Sequence, residues 1–318
     1  MSGASVAEGS DGIDVLTVGE TMTAVRCAGP LRLGGPAQIT VAGAESNLAI
    51  GLARLGHRAA WSGRLGPDES AELILRTLRA EGVDTSTVAR DPEAGTGLLL
   101  FERRLADLTR VEYHRAGSAG SRWNAGDIEP ALALRPRIVH VTGITAALSG
   151  AAREALSDLV AGARGQGALV SVDVNFRGRL WSRDQARPML RDLARRADVV
   201  IASEDELELV AAEPEELLEA GVGEVVTKRG AAGASALTRE GEVSVPARRV
   251  QVVDTIGAGD AFSAGYLSGV LDGCEVDQRL ARGATLGAFA VASAGDWEGL
   301  PTREELALLD VDEGESIR

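Results

Sequence analysis

A mostly parallel α/β sheet covered by helices on both faces, with a small second sheet beside it, is the fold class this sequence predicts. From Ile138 onward, short continuous apolar runs alternate with helical stretches, the rhythm of parallel strands buried on both sides. Over 21–41 and again over 96–116 that rhythm gives way to short alternating pieces, the first broken by Gly and Pro, which read as strands projecting from the main body. Late in the chain, a glycine-rich turn at 257–259 opens a helix whose Phe262, Tyr266 and Val270 recur every four positions.

Residues 1–12 offer no apolar period to bury and read as a flexible tail. Residues 13–20 read as a first, central strand. Ala42-Gly43-Ala44-Glu45-Ser46-Asn47 opens a helix whose Leu48, Leu52 and Leu55 share a face and which Gly56 ends. A compact βα unit follows, with a strand over 59–63 and Asp68 capping a helix that reaches 81. After the second β-rich patch, strands are expected at 138–141, 169–173, 199–201 and 225–227. The helices between and after them cover 150–164, 184–196 and 203–219, the last interrupted near Pro214. A hairpin over 235–245 precedes the helix opened by 257–259. A second Ala/Gly-rich helix over 277–294 and a short one over 302–309 complete the set. Residues 311–318 are acidic and read as a fraying tail. With no internal repeat and no linker, 13–310 reads as a single domain.

Composition narrows the function classes. Hydrophobic residues make up 45% of the chain and aromatic ones 3%, so a sizeable core must be built from Ala, Val and Leu. The formal net charge of −14 opposes binding to nucleic acid or an anionic membrane, and any anionic substrate needs local arginines to overcome the global field. Lys228 is the only lysine and follows Thr227, which excludes a Walker A loop; the protein-kinase triplets are absent too. Cys27 and Cys274 cannot form a disulfide framework or a four-ligand zinc site. With no signal core and no long apolar run, the sequence reads as cytoplasmic.

The stretch Asp254-Thr255-Ile256-Gly257-Ala258-Gly259-Asp260 is where chemistry is expected. The first backbone N–H groups of a helix lack intrahelical acceptors and carry the positive end of its dipole, so they hold anions, and two glycines allow close approach. An aspartate at the mouth of such a site would repel a phosphate. Asp260 is explicable there as the general base that takes a proton from an attacking hydroxyl. The plainer reading is a tight turn with Asp260 favouring the helix start. Gly257, Ala261, Gly265 and Gly269 also form a stripe of small residues. A glycine inside a helix costs about 1 kcal/mol relative to alanine, so something, most simply a neighbouring helix, is expected to pack very close.

Asp254-Thr255-x-Gly257-Ala258-Gly259-Asp260-x-Phe262-x-x-Gly265 resembles the C-terminal signature of the ribokinase-like (phosphofructokinase-B type) carbohydrate kinases. Further segments resemble the same family, in order along 13–310. They are Gly43 to Asn47, Tyr113-His114-Arg115 running to Ser121, Asp173-Val174-Asn175-Phe176-Arg177 running to Trp181, Ser203-Glu204-Asp205-Glu206, Lys228-Arg229-Gly230 with Gly233, and Gly295-Asp296-Trp297-Glu298-Gly299. The resemblance implies a ribokinase-like three-layer α/β/α sandwich whose strands within 21–41 and 96–116 form a lid. It implies Asp260 as base, with the Gly257, Ala258 and Gly259 amides as anion hole. Substrate contacts fall on Gly43, Asn47, Tyr113, Arg115, Arg177, Asp260 and Asp296. Nucleotide contacts fall on Asn175, Arg177, Ser203, Lys228, Gly230, Gly233, Gly257 and Gly259, with Glu206 ordering Mg²⁺. ATP and Mg²⁺ are the implied cofactors; exposed lid strands invite pairing with another subunit, so a homo-oligomer through the lid is expected.

Three of these segments, those at Tyr113, Asp173 and Asp296, most resemble the 2-keto-3-deoxygluconate kinases of the family. Tyr113 and Arg115, two apart, point to one sheet face, where a guanidinium suits the carboxylate of a sugar acid. Two departures stand out: Ala42 replaces a family glycine, and Leu99 stands where this subgroup has tyrosine. Another carbohydrate kinase (fructokinase, ribokinase or keto-deoxygalactonate kinase) and a non-catalytic sugar or nucleotide sensor remain alternatives.

Overall fold

The computed structural model describes residues 12–105 and 108–310, so the expected tails, apart from Gly12, and residues 106–107 lie outside the described residues. Its main sheet runs in the order Gly241–Val245, Ala234–Thr238, Glu224–Lys228, Val199–Ser203, Leu169–Asp173, Ile138–Thr142, Val15–Val18, Ala59–Ser62. From Glu224–Lys228 to Ala59–Ser62 every neighbour is parallel, and the last two strands form an antiparallel hairpin. The first strand is therefore not central, as its apolar run suggested, but one place from the edge. The connection through helix Ala44–Arg54 takes the chain to one side of it, and every later connection goes to the other.

Strand side chains alternate between faces, and the two cores follow that period. Leu16, Val18, Val139, Val141, Val170 and Val172 pack against helices Gly150–Gly165 and Arg183–Arg195 through Leu156, Leu159, Leu190 and Leu193. Val15, Ile138, Val199 and Ile201 face the opposite layer, with Leu48 and Leu52 of Ala44–Arg54 and Phe262 and Tyr266 of Ala258–Leu271. This is the three-layer sandwich. The segment expected as one interrupted helix is two, Glu204–Val210 and Glu215–Glu219, with Pro214 at the second N-cap.

The small-residue stripe meets a helix. A Cβ on Gly265 would stand 2.7 Å from the Arg282 carbonyl oxygen, and one on Gly283 would stand 2.9 Å from the Phe262 ring. Helices Ala258–Leu271 and Val276–Val291 thus touch backbone to backbone. Glu224, wholly buried on its strand, pins both helices to the sheet: Tyr266 donates to it at 2.6 Å and Arg279 pairs with its other oxygen.

The second sheet has the order Ala37–Ala42, Met22–Cys27, Leu98–Leu105, Leu108–His114. Its inner face, Met22, Ala24, Ala42, Leu99 and Phe101, closes over the cleft and packs on Ile256. Ile39 is 62% exposed and lies on an edge strand, beside a short turn that leaves Leu33 74% exposed. The run Val250, Val252 and Val253 forms no strand; it is tied by the Val253 amide to the Val291 carbonyl at 2.7 Å.

Candidate active site

The parallel strands end on one side, and the side chains just beyond those ends line a cavity of about 1180 Å³ between the main sheet and the lid. Crevices at the carboxyl ends of open parallel sheets are where such folds bind ligands. Of the residues singled out in the sequence, Gly43, Asn47, Tyr113, Arg115, Asn175, Arg177, Ser203, Glu206, Lys228, Gly257, Gly259, Asp260 and Asp296 all line it. Ala258 lies between two lining residues. Gly230 and Gly233 do not line it; Gly233, at φ 98°, leaves room for the Val245 carbonyl of its own hairpin.

Gly257 caps helix Ala258–Leu271 in the left-handed region, at φ 76° and ψ −7°. A Cβ there would also collide with the Asp296 carbonyl at 2.1 Å, so only glycine fits. Asp260, in the first turn, accepts a hydrogen bond on Oδ2 from Asn47 Nδ2 at 2.9 Å. Burial raises the Asp260 pKa and the charge of Asp173 adds to this, against the lowering influence of Asn47, Arg177 and Lys228. A carboxylate in this state is more basic than an exposed one, which suits a general base.

Lys228 is placed by an ion pair rather than by the surface. Its Nζ donates to Asp173 Oδ2 at 2.7 Å, and Ser263 Oγ donates to the same oxygen at 3.0 Å. Burial pulls the ammonium pKa down, but Asp173 and Glu206 outweigh it and the pKa ends raised. The ammonium stands 3.4 Å from where a Cβ on Gly259 would be, beside the amide turn. Asn175 adopts φ 37°, a left-handed backbone that asparagine tolerates, in the segment that turns into the cavity. Glu206 holds this segment: Oε1 accepts from the Phe176 amide and Oε2 from the Ser203 amide, both at 2.9 Å.

On the lid side, Arg115 is already paired, its Nε donating to Glu20 Oε2 at 2.7 Å, and its guanidinium lies 5.8 Å from the Tyr113 ring. Ser118 donates to the other Glu20 oxygen. Arg177, exposed on the cavity wall, makes no hydrogen bond or ion pair among the described residues. Arg110, paired with Glu112 at 2.8 Å, and Arg179, which donates to the Val111 carbonyl at 2.8 Å, line the same wall. Leu99 lies directly across from Tyr113 in the lid ladder. His114 is solvent-exposed.

Three carboxylates of the site carried no role in the sequence reading. Glu45 is 1% exposed and accepts from Thr142 and Thr145 on Oε1, at 2.6 and 2.8 Å, while burial raises its pKa. Glu20 and Asp173 are each buried with a cationic partner. Glu45 and Asp173 sit inside the quoted motifs, so a signal was present; their burial was not.

The fold and the site together define an ATP-dependent phosphotransferase acting on an alcohol. The family model for pfkB family carbohydrate kinases matches residues 13–303. The 2-dehydro-3-deoxygluconokinase of Bacillus subtilis is 37% identical over 310 residues, covering 93% of this chain and 94% of the relative. That of Thermoproteus tenax is 34% identical, over 92% and 93%. The crystal structure of a PfkB protein from Polaromonas sp. JS666 matches with a TM-score of 0.83 at 37% identity, over 92% of this chain and 99% of that one. The chain belongs to the pfkB family of carbohydrate kinases.

Proposed function

We propose that the protein phosphorylates 2-keto-3-deoxy-D-gluconate at its 6-hydroxyl with ATP, giving the 6-phosphate and ADP. The observation that carries the sugar-acid reading is the unpaired guanidinium of Arg177 on a cavity wall shared with Arg110, Arg115 and Arg179. A neutral sugar offers these guanidinium groups no anionic partner, whereas a sugar carboxylate can pair with one through two hydrogen bonds. The names borne by the Bacillus subtilis and Thermoproteus tenax relatives point to the same substrate.

In this reading Asp260 accepts the O6 proton as O6 attacks the terminal phosphorus. The bond to ADP breaks, and the amides at 257–259 hold the transferred group's oxygens. Lys228, beside that turn, faces the same charge. Gly43 and Asn47 meet the sugar hydroxyls, and the buried, unpartnered Asn47 Oδ1 is an acceptor waiting for one. Tyr113 packs on the sugar, and Asp296 lies beside it. Arg115 lends the wall a charge shared with Glu20. Asn175 and Ser203 border the nucleotide phosphates, with Gly230 and Gly233 shaping the loop beyond. Lid closure keeps water from the phosphoryl group.

Mg²⁺ fits this donor set as a nucleotide-borne ion. Among the described residues no three His, Cys, Asp or Glu side chains form a metal cage. Mg²⁺ keeps most of its waters and needs only one or two carboxylates besides phosphate. Glu206, each oxygen holding one amide, has a lone pair left on each for a metal-bound water. When bound, the ion neutralises phosphate charge.

The exposed edge of the lid suits pairing with a second copy. Among the described residues no helix is long and apolar enough to cross a membrane. The test of the substrate is coupled ADP release with ATP and Mg²⁺ over keto-deoxygluconate, keto-deoxygalactonate, fructose and ribose. The reading expects kcat/KM for keto-deoxygluconate to exceed that for fructose or ribose by about 100-fold. Equal turnover of a neutral sugar contradicts it.

A further inference from the structure

One guanidinium ties the lid to the amide turn. Arg26 extends from the inner face of lid strand Met22–Cys27, and its Nη2 donates to Asp296 Oδ1 at 2.7 Å while Nη1 donates to Asp254 Oδ2 at 3.3 Å. Its guanidinium lies 4.2 Å over the Phe101 ring of the neighbouring lid strand. Among the described residues its Nε is buried without an acceptor, so its ion pairs are those with the two carboxylates.

Both partners belong to the turn. Asp254 Oδ1 accepts from the Ile256 amide at 3.1 Å, and Ile256 leads directly into Gly257. The Asp296 carbonyl is the group against which Gly257 packs too closely for any Cβ. A displacement of either aspartate therefore displaces Gly257 and the amides after it. The charges matter as well. Asp254 and Asp296 flank a turn that must accept phosphate, and two uncompensated carboxylates there would oppose it.

We propose that Arg26 is a positioning residue for phosphoryl transfer: by holding Asp254 and Asp296 it neutralises the rim of the anion hole and makes the turn's geometry depend on a closed lid. This rests on the kinase reading above and adds a coupling within it. Sugar bound under the lid would favour closure, and closure through Arg26 would complete the phosphate site.

The test compares Arg26→Met with the unaltered chain by two readouts. Arg26→Met should lower kcat about 30-fold or more, since small misplacements of reacting groups are costly. The KM values for sugar and nucleotide should stay within about threefold. Hydrogen exchange, which needs no sugar or turnover, should show the 256–260 amides exchanging about tenfold faster while the strand Leu169–Asp173 is unchanged. Unchanged exchange at 256–260, or a loss confined to the sugar KM, overturns the proposal whatever the true substrate is. Arg26→Lys, which keeps the charge but not the fork, should recover part of kcat and part of the protection; no recovery of either leaves a structural role and also overturns it. If Arg26→Met does not fold, Arg26→Gln decides by the same readings.

Discussion

Asn47 and Asp260 are 213 residues apart in sequence, yet Asn47 Nδ2 donates to Asp260 Oδ2 at 2.9 Å. The bond favours the ionised carboxylate and so works against the burial that raises its pKa. Because the base must be ionised to act, kcat falls as pH drops through that raised value. Asn47→Ala removes the lowering influence, so the acid limb of the kcat profile should move to higher pH, with kcat reduced about tenfold. A limb that stays in place separates Asn47 from the ionisation of Asp260.

Asp296 gives a stability signature of definite sign. Burial, opposed by Arg26 and reinforced by Asp260, pushes its pKa up from 3.8 to about 7. The folded state therefore holds a proton the unfolded chain has released, and its contribution is full below the unfolded value and lost as pH rises through about 7. Asp296→Asn cannot ionise. Its stability relative to the unaltered protein should rise between pH 4 and 7, by at most about 1.4 kcal/mol per pH unit, then level off. Denaturant unfolding across that range measures it, and a constant difference would refute the assignment.

Arg115 and Arg177 should fail differently when removed. Arg115→Ala strands Glu20, 2% exposed, without its cation, and should cost about 3 kcal/mol of stability alongside any kinetic effect. Arg177→Ala removes an exposed side chain with no hydrogen bond or ion pair among the described residues, and its stability should stay within about 0.5 kcal/mol. Its sugar-acid KM should rise about tenfold or more. Thermal melts beside steady-state kinetics resolve the two; a destabilised Arg177→Ala of normal KM would remove it from substrate binding.

Gly257→Ala should be the most damaging single-methyl change in the site. The backbone is left-handed and the new Cβ would meet the Asp296 carbonyl at 2.1 Å. The turn must shift, and a loss of kcat of about 100-fold is expected. Gly259→Ala faces only the flexible end of Lys228 at 3.4 Å and should be much milder. Comparable kcat for the two variants would deny the amide turn its role.

What could be read from the sequence was what lies close along the chain. Gly257, Gly259 and Asp260 fall within four positions, and helix geometry alone sets a carboxylate beside free amides. The alternation of runs after Ile138 likewise gave the sheet and its two helical layers. Contacts that join distant segments were hidden: Arg26 with Asp296, Arg115 with Glu20 and Lys228 with Asp173 depend on which strands become neighbours. The first strand was misplaced for the same reason, since an apolar run reports burial on both faces but not position in the sheet. Gly230 and Gly233 fitted a family pattern, yet Gly233 answers to its own hairpin.

The account as a whole depends on Asp260 removing a proton from the attacking hydroxyl beside the amide turn. Single-turnover phosphoryl transfer by Asp260→Asn, with sugar and nucleotide binding measured on the same sample, tests it most directly. The expected result is a rate lowered about 1,000-fold with both ligands still bound near their original affinity. A variant that transfers phosphate within about tenfold of the unaltered rate would contradict it.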